Sequence, residues 1–228
     1  MRIGLLQCGH FPQPAYHPKT NYTDLYSRLL EGHGFAFQTW SVVDMEFPGS
    51  VNDADGWLLS GSKHGAYDDI PFIAPLESFI QRVYAAQLPM VGICFGHQII
   101  AQALGGKVTK RATGWNCGRN DYAFEGTTKN LMAWHQDEVV SAPPEAVLIG
   151  SSKECAIAMI RYKGNALTMQ PHPEFDDAAV RIVMDGPGGR SLAQAELDEA
   201  GAGLGTPDDS ASAASDIAQF FKAAGDNG

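Results

Sequence analysis

Positive charge is scarce in this sequence. Sixteen Lys and Arg stand against 26 Asp and Glu, for a formal net charge of -10, so it shows no basic footprint for nucleic acid. Long apolar runs are also missing. No stretch approaches the roughly 18 residues that suggest a spanning helix, so neither a membrane nor a nucleic acid is expected as a partner. The opening MRIGLLQCGHFPQP has no basic segment leading into an apolar core and a small-residue cleavage site, and no secretory signal is read there. Cysteine is sparse and dispersed: Cys8, Cys94, Cys117 and Cys155 form no CxxC pair. That spacing argues against a disulfide framework and against structural zinc. The sequence also offers no G-x-x-x-x-G-K-[ST] loop, the usual sign of an ATP site. The expectation is a reduced, cytoplasmic protein with no metal and no organic cofactor, in which one cysteine is kept for its reactivity.

What is present is a normal globular balance. The 228 residues are 44% hydrophobic and 18% charged, enough to build the core of one large domain or of a domain with an appendage. Apolar strand-like runs at Ile3 to Cys8, Phe35 to Val43, Gly56 to Ser60 and Met90 to Ile93 alternate with helical spacing at Asn21 to Leu30, Pro75 to Ala86 and His97 to Leu104. A loop with three prolines is expected over Gly9 to Lys19. From Lys107 to Met169 the pattern shifts to short β pieces: Lys107 to Arg111, Asp121 to Phe124, Ala146 to Ser151, Ala156 to Tyr162 and Ala166 to Met169. This order predicts an α/β fold, a mostly parallel doubly wound sheet with a smaller β-rich portion. Residues 199–215, rich in Ala, Gly, Ser and acidic groups, read as a surface loop. A closing helix is expected over Asp216 to Ala224, capped by Ser215 and ended by Gly225. The expected division is one domain over 1–190 and a C-terminal extension over 191–228 packed on it.

The stretch VGICFGHQII, residues 91–100, carries the first chemical signal. An apolar strand stops at Cys94, bracketed by Gly92 and Gly96, and a helix follows. In a doubly wound sheet ligands gather at the carboxyl ends of the strands, where this thiol would stand. G-x-C-x-G copies the logic of the G-x-S-x-G nucleophile elbow. Small neighbours permit a sharp turn, and the helix N-terminus favours the thiolate. A buried core cysteine would fit the same apolar surroundings, so a base and an orienting group must decide. They are found in LTMQPHPEF, residues 167–175. His172 and Glu174 alternate with Pro171 and Pro173, and in an extended segment residues i and i+2 face one side. Glu174 would then fix the imidazole tautomer, as the acid of a triad does.

Together, Gly92-Ile93-Cys94-Phe95-Gly96-His97-Gln98 and Gln170-Pro171-His172-Pro173-Glu174 resemble the nucleophile and His-x-Glu motifs of class I glutamine amidotransferases. The resemblance runs over residues 40 to 185. It implies a flavodoxin-like fold and a catalytic Cys94-His172-Glu174 triad that breaks the amide bond of glutamine. LLSGSKHGAYDD, residues 58–69, resembles the family's oxyanion loop, which implies that the Gly61 and Phe95 amides hold the oxyanion. AWHQDEVV, residues 133–140, resembles the segment that grips the α-carboxylate and amine, which implies substrate contacts at Gln136 and Asp137, with Gln98 reaching the same place. Two departures stand out: Ser62-Lys63-His64 replaces the usual Gly-Pro type of turn, and Gln136 stands where many members have glycine.

The expected activity is hydrolysis of a γ-glutamyl amide through a γ-glutamyl thioester, as a glutaminase of the class I type. The small-molecule partner is a γ-glutamyl substrate, glutamine or a conjugate. Two alternatives keep the same bond chemistry: a stand-alone γ-glutamyl peptidase acting on γ-glutamyl conjugates, or a glutaminase subunit dependent on a synthetase partner. Among the other histidines, His97 is expected to shape the turn and His135 to pack beside the substrate segment, while His10, His17, His33 and His64 show no metal spacing. Trp115, Trp134 and the aromatics of the first helix are expected in the core.

Overall fold

The computed structural model describes residues 1–12, 20–163 and 165–225. Most of the expected proline loop, and His17 with it, therefore lies outside the described residues. The amino-terminal half winds β1 (Arg2–Leu6), α1 (Tyr22–Leu29), β2 (Ala36–Trp40), β3 (Gly56–Leu59), α2 (Ile73–Ala85), β4 (Met90–Ile93) and α3 (Phe95–Ala103). A β-rich stretch follows: β5 (Lys107–Lys110), β6 (Asn116–Phe124), β7 (Thr127–His135), β8 (Asp137–Ser141), β9 (Ala146–Ser151), β10 (Met159–Tyr162) and β11 (Ala166–Met169). The chain then turns helical through α4 (Asp177–Asp185), α5 (Gln194–Ala202) and α6 (Ser210–Gly225).

Nine strands form one sheet in the order β2-β1-β3-β4-β11-β10-β9-β6-β7, and β5 pairs with β8 separately. The first five are parallel, and the last four continue the sheet antiparallel. The expected α/β architecture is thus present, and its β-rich portion is the antiparallel wing of the same sheet plus the small β5-β8 ladder.

The parallel strands show why two helical layers form. Successive residues of a strand point to opposite faces, and in β3, β4 and β11, inside the sheet, both faces are buried and largely apolar. Leu5, Leu58, Val91, Leu167 and Met169 enter one core with α1, α4 and α6. Leu6, Trp57, Leu59, Met90 and Ala166 enter the other with α2 and α3. Helix α1 starts at a reciprocal cap: Asn21 Oδ1 accepts from the Asp24 N–H at 2.9 Å, and Asp24 Oδ2 accepts from the Asn21 N–H at 3.1 Å.

The carboxyl-terminal reading needs correction. The closing helix expected over Asp216 to Ala224 is present and Gly225 is its last residue, but it begins at Ser210 with Ser215 inside it, and of residues 199–215 only 203–209 lie between α5 and α6. Alanine is the best helix former, and a stripe of Ala213, Ala214, Ile217, Ala218 and Phe221 is buried. Small side chains give such a stripe little weight in the sequence, so the amphipathic pattern passes for a linker. Buried cations tie the segment down. Arg119 of β6 pairs with Asp208 and with Asp177 of α4, and Lys129 of β7 meets Asp216 of α6 at 2.9 Å. Among the described residues no helix is long and apolar enough to cross a membrane.

Phe221 is fully buried, edge-on to Phe35 at 5.7 Å. Phe221→Ala should therefore destabilise the protein by about 3–5 kcal/mol, read as a lower urea midpoint with unchanged m-value. A loss below about 1 kcal/mol, the range of a surface change, would show that α6 is not part of the core.

Candidate active site

Residue 94 is where β4 becomes α3. The Cys94 N–H donates to Met169 O at 2.9 Å, extending the ladder to β11, while its carbonyl already accepts from the Gln98 N–H at 3.1 Å. The chain turns sharply from strand to helix at this one residue, and Cys94 adopts φ 53°, ψ -105°. A non-glycine residue held at positive φ costs about 1–3 kcal/mol and persists only where its surroundings impose it. The flanking glycines supply the room. A Cβ on Gly92 would stand 2.5 Å from Gly96 O, and one on Gly96 would stand 2.4 Å from Leu59 O. The G-x-C-x-G spacing is thus a packing requirement of the turn.

The segment after β11 carries the imidazole. The His172 N–H donates to Met132 O at 2.8 Å, bridging to β7. Its Nδ1 sits 2.7 Å from Glu174 Oε1, and the ring stacks on Phe175 at 4.0 Å. The Tyr26 hydroxyl donates to the same Glu174 oxygen at 3.0 Å. Burial opposes a charge on His172, but the Glu174 carboxylate and the hydrogen-bonded Cys94 sulfur outweigh it and push the imidazole up to about 10. The structure therefore brings Cys94, His172 and Glu174 into one buried chain of contacts.

These groups open on a cavity of about 540 Å³. Cys94, His172, Gln98, Gln136 and Asp137 line it. Gln98 Nε2 donates to Asp137 O and Gln170 Oε1, both at 3.0 Å, which leaves its carbonyl oxygen for any ligand. Asp137 Oδ1 accepts from the Tyr67 hydroxyl at 2.7 Å. Burial raises the Asp137 carboxyl, partly offset by that bond and by Lys110. The Gln136 carbonyl accepts from the Arg111 N–H at 2.8 Å. Gly61 lies two residues beyond β3 and Phe95 directly follows the thiol, and among the described residues neither N–H donates a hydrogen bond. Phe95 opens α3, where the first N–H groups lack intrahelical partners. Ser62, Lys63 and His64 form part of the rim. Among the described residues no group of three or more His, Cys, Asp or Glu is arranged to hold a metal.

Two further buried histidines, His97 and His135, tie elements of the scaffold together. His97 ties α3 to Thr168 Oγ1 at 2.8 Å and Ile157 O at 3.1 Å, and burial pushes it down to about 4. His135 contacts Asp137 O at 2.9 Å and Asn116 Nδ2 at 3.1 Å, and burial pushes it to about 3. Four aromatics assigned to the core by sequence do more. Trp115, Trp134 and Tyr22 line the cavity, and Tyr26 holds Glu174. The available signal was two tyrosines at i and i+4 on a buried helix face, since a buried phenol needs a partner.

Residues 29–180 match the model of the class-I glutamine amidotransferase family. The chain is 33% identical over 192 residues to gamma-glutamyl peptidase 4 of Arabidopsis thaliana, covering 76% of each chain. It is 36% identical over 104 residues to a glutamine-hydrolyzing GMP synthase component of Methanopyrus kandleri, covering 39% of this chain and 53% of that one. The crystal structure of a glutamine amidotransferase from Methylobacillus flagellatus superposes with a TM-score of 0.76 at 22% identity, covering 99% of this chain and 94% of that one. The chain belongs to the class-I glutamine amidotransferase family and is an amide hydrolase of that type.

Because the raised His172 pKa lies above the ordinary value near 6.5, its pairing with Glu174 stabilises the fold fully below that pH and fades as pH rises through about 10. Glu174→Gln should cost about 3 kcal/mol at pH 6, and the gap to wild type should narrow toward pH 10 in urea titrations. A gap that stays constant with pH would show that the charge on Glu174 does not hold the imidazolium.

Proposed function

We propose that this enzyme is a γ-glutamyl peptidase. The observation that carries the reading is the cavity: its roughly 540 Å³ falls in the about 300–1,000 Å³ range of pockets that enclose extended small ligands. That leaves room beside the thiol for a leaving group larger than ammonia, between the Trp115–Trp134 pair and residues 183–191. The likeness to the Arabidopsis peptidase supports the same choice.

In this reading the Cys94 thiolate attacks the γ-carbonyl, and the Gly61 and Phe95 amides receive the developing oxyanion. The His172 imidazolium, oriented by Glu174, gives its proton to the departing amine. The neutral ring then takes a proton from water, whose oxygen attacks the thioester carbonyl. Expulsion of the thiolate releases glutamate and restores the imidazolium pair. Gln98, Gln136 and Asp137 hold the α-amino and α-carboxylate end. The site needs neither metal nor organic cofactor for these steps, and a reducing, cytoplasmic setting suits four buried free cysteines. A second reading, a glutaminase that docks on a synthetase, draws support from the likeness to the Methanopyrus GMP synthase component.

The test is product release from glutamine, a γ-glutamyl dipeptide and glutathione, with Cys94→Ala as control. The peptides should be turned over at least about tenfold better than glutamine in kcat/KM, the effect of a filled pocket contact. Cys94→Ala should lower turnover by at least about 10³-fold. Fast ammonia release from glutamine with little peptide cleavage would replace this reading with the glutaminase.

A further inference from the structure

Helix α1 carries a second hydroxyl that the triad does not explain. Tyr22 and Tyr26 lie one turn apart and share a face, and their rings stack with centroids 6.2 Å apart and planes at 21°. Tyr26 commits its hydroxyl to Glu174. Tyr22 is only 7% exposed, its ring edge-on to Phe11 at 5.6 Å. Among the described residues its hydroxyl has no hydrogen-bond partner. Its ring is buried while the residue lines the cavity, so the hydroxyl is available to a bound ligand.

The cavity that Tyr22 lines also holds Cys94 and His172. The hydroxyl oxygen lies 2.9 Å from the point where a Gly61 Cβ would stand, and His172 Cε1 lies 3.1 Å from the same point. The phenol oxygen therefore lies against the Gly61 loop on the side of the imidazole, in the wall of the cavity that Cys94 shares. A side chain at position 61 would collide with it.

We propose that the Tyr22 hydroxyl is a catalytic donor to the reacting carbonyl, joining the Gly61 and Phe95 amides as a third contact on the developing oxyanion. The inference rests on the proposed γ-glutamyl chemistry and adds a side-chain donor to it. Burial, followed by the nearby charges of Glu174 and Cys94, raises the phenol well above its ordinary pKa. The group thus keeps its proton and can donate but not serve as a base. A donor aimed at a developing oxyanion is worth about 10²–10³ in rate in other acyl-transfer enzymes.

The experiment compares wild type with Tyr22→Phe in the full chain, measuring kcat/KM on a γ-glutamyl amide and the matching γ-glutamyl ester, together with urea unfolding. Tyr22→Phe should lose about 10²-fold on both substrates. Its unfolding midpoint should stay level, because phenylalanine keeps the buried ring and removes a hydroxyl that no described residue bonds. A change in kcat/KM below about twofold, well short of any hydrogen bond to a charged group, would overturn the proposal. So would a loss confined to the amide, which would put the hydroxyl on the leaving nitrogen. A lower midpoint or a failure to fold would make the hydroxyl a structural partner and overturn it as well. Wild type that cleaves no γ-glutamyl substrate would sink the underlying function together with this step, whereas active wild type with an equally active Tyr22→Phe would sink the hydroxyl's role alone.

Discussion

The strained junction at Cys94 is the constraint on which the rest of the molecule depends. Residue 94 closes the ladder with β11 and opens α3 at once, and the sharp turn between them holds its backbone at positive φ. Such strain survives only where the packing on either side leaves no alternative. Here β4 is locked between β3 and β11, and α3 presses so closely on β3 that Gly96 lies against the Leu59 carbonyl. The same three strands set the neighbours of the thiol. Gly61 lies just beyond β3, Phe95 begins α3, and β11 leads directly into His172. A displaced α3 would therefore move the thiol, the free amides and the imidazole relative to one another.

The second problem is electrical. Glu174 is buried, and one of its oxygens accepts from both His172 and Tyr26 while the other finds no partner among the described residues. A buried carboxylate with an unpaired oxygen is expensive unless an opposite charge compensates, and the raised His172 imidazole supplies that charge. Tyr26 adds a neutral donor, which holds the carboxylate without competing for its charge. The arrangement explains why α1, remote in sequence, packs over the carboxyl ends of the strands. It also explains why the two other buried histidines near the site remain neutral: His97 and His135 have backbone carbonyls rather than carboxylates as partners.

What could be read from the sequence was whatever the sequence encodes locally. Gly92, Cys94 and Gly96 fall within five residues, and His172 and Glu174 within three, so chain geometry alone nearly fixes their relations. The inner parallel strands were legible because both their faces are apolar. The hairpin of β6 and β7 was read only in part. It closes through Glu125-Gly126, both at positive φ, the requirement of a two-residue type I′ loop, but the polar residues along β6 hide its length. The second half of α6 was legible, but the end of α5 and the start of α6 passed for a loop because alanine buries little area per position, so the pattern lacks contrast. Tyr22 and Tyr26 were assigned correctly to a buried face. What their hydroxyls meet, near Gly61 and at Glu174, lies far along the chain, and no local pattern carries that.

The family match spans residues 29–180, and its limits divide the site in a physically sensible way. Cys94, His172, Glu174 and both free amides lie inside it. Tyr22 and Tyr26 precede it, and Val183, Pro187, Gly188 and Ser191, which wall the cavity, follow it. Bond breaking needs fixed distances among a few groups, and those come from the sheet. The shape offered to a leaving group needs no such precision and can be supplied by flanking segments. Those flanks are nevertheless held firmly, since α4 and α6 share a core with α1 and are pinned by Arg119 and Lys129. The carboxyl-terminal helices thus shape the cavity through packing, since α4 and the turn after it supply the wall at 183–191.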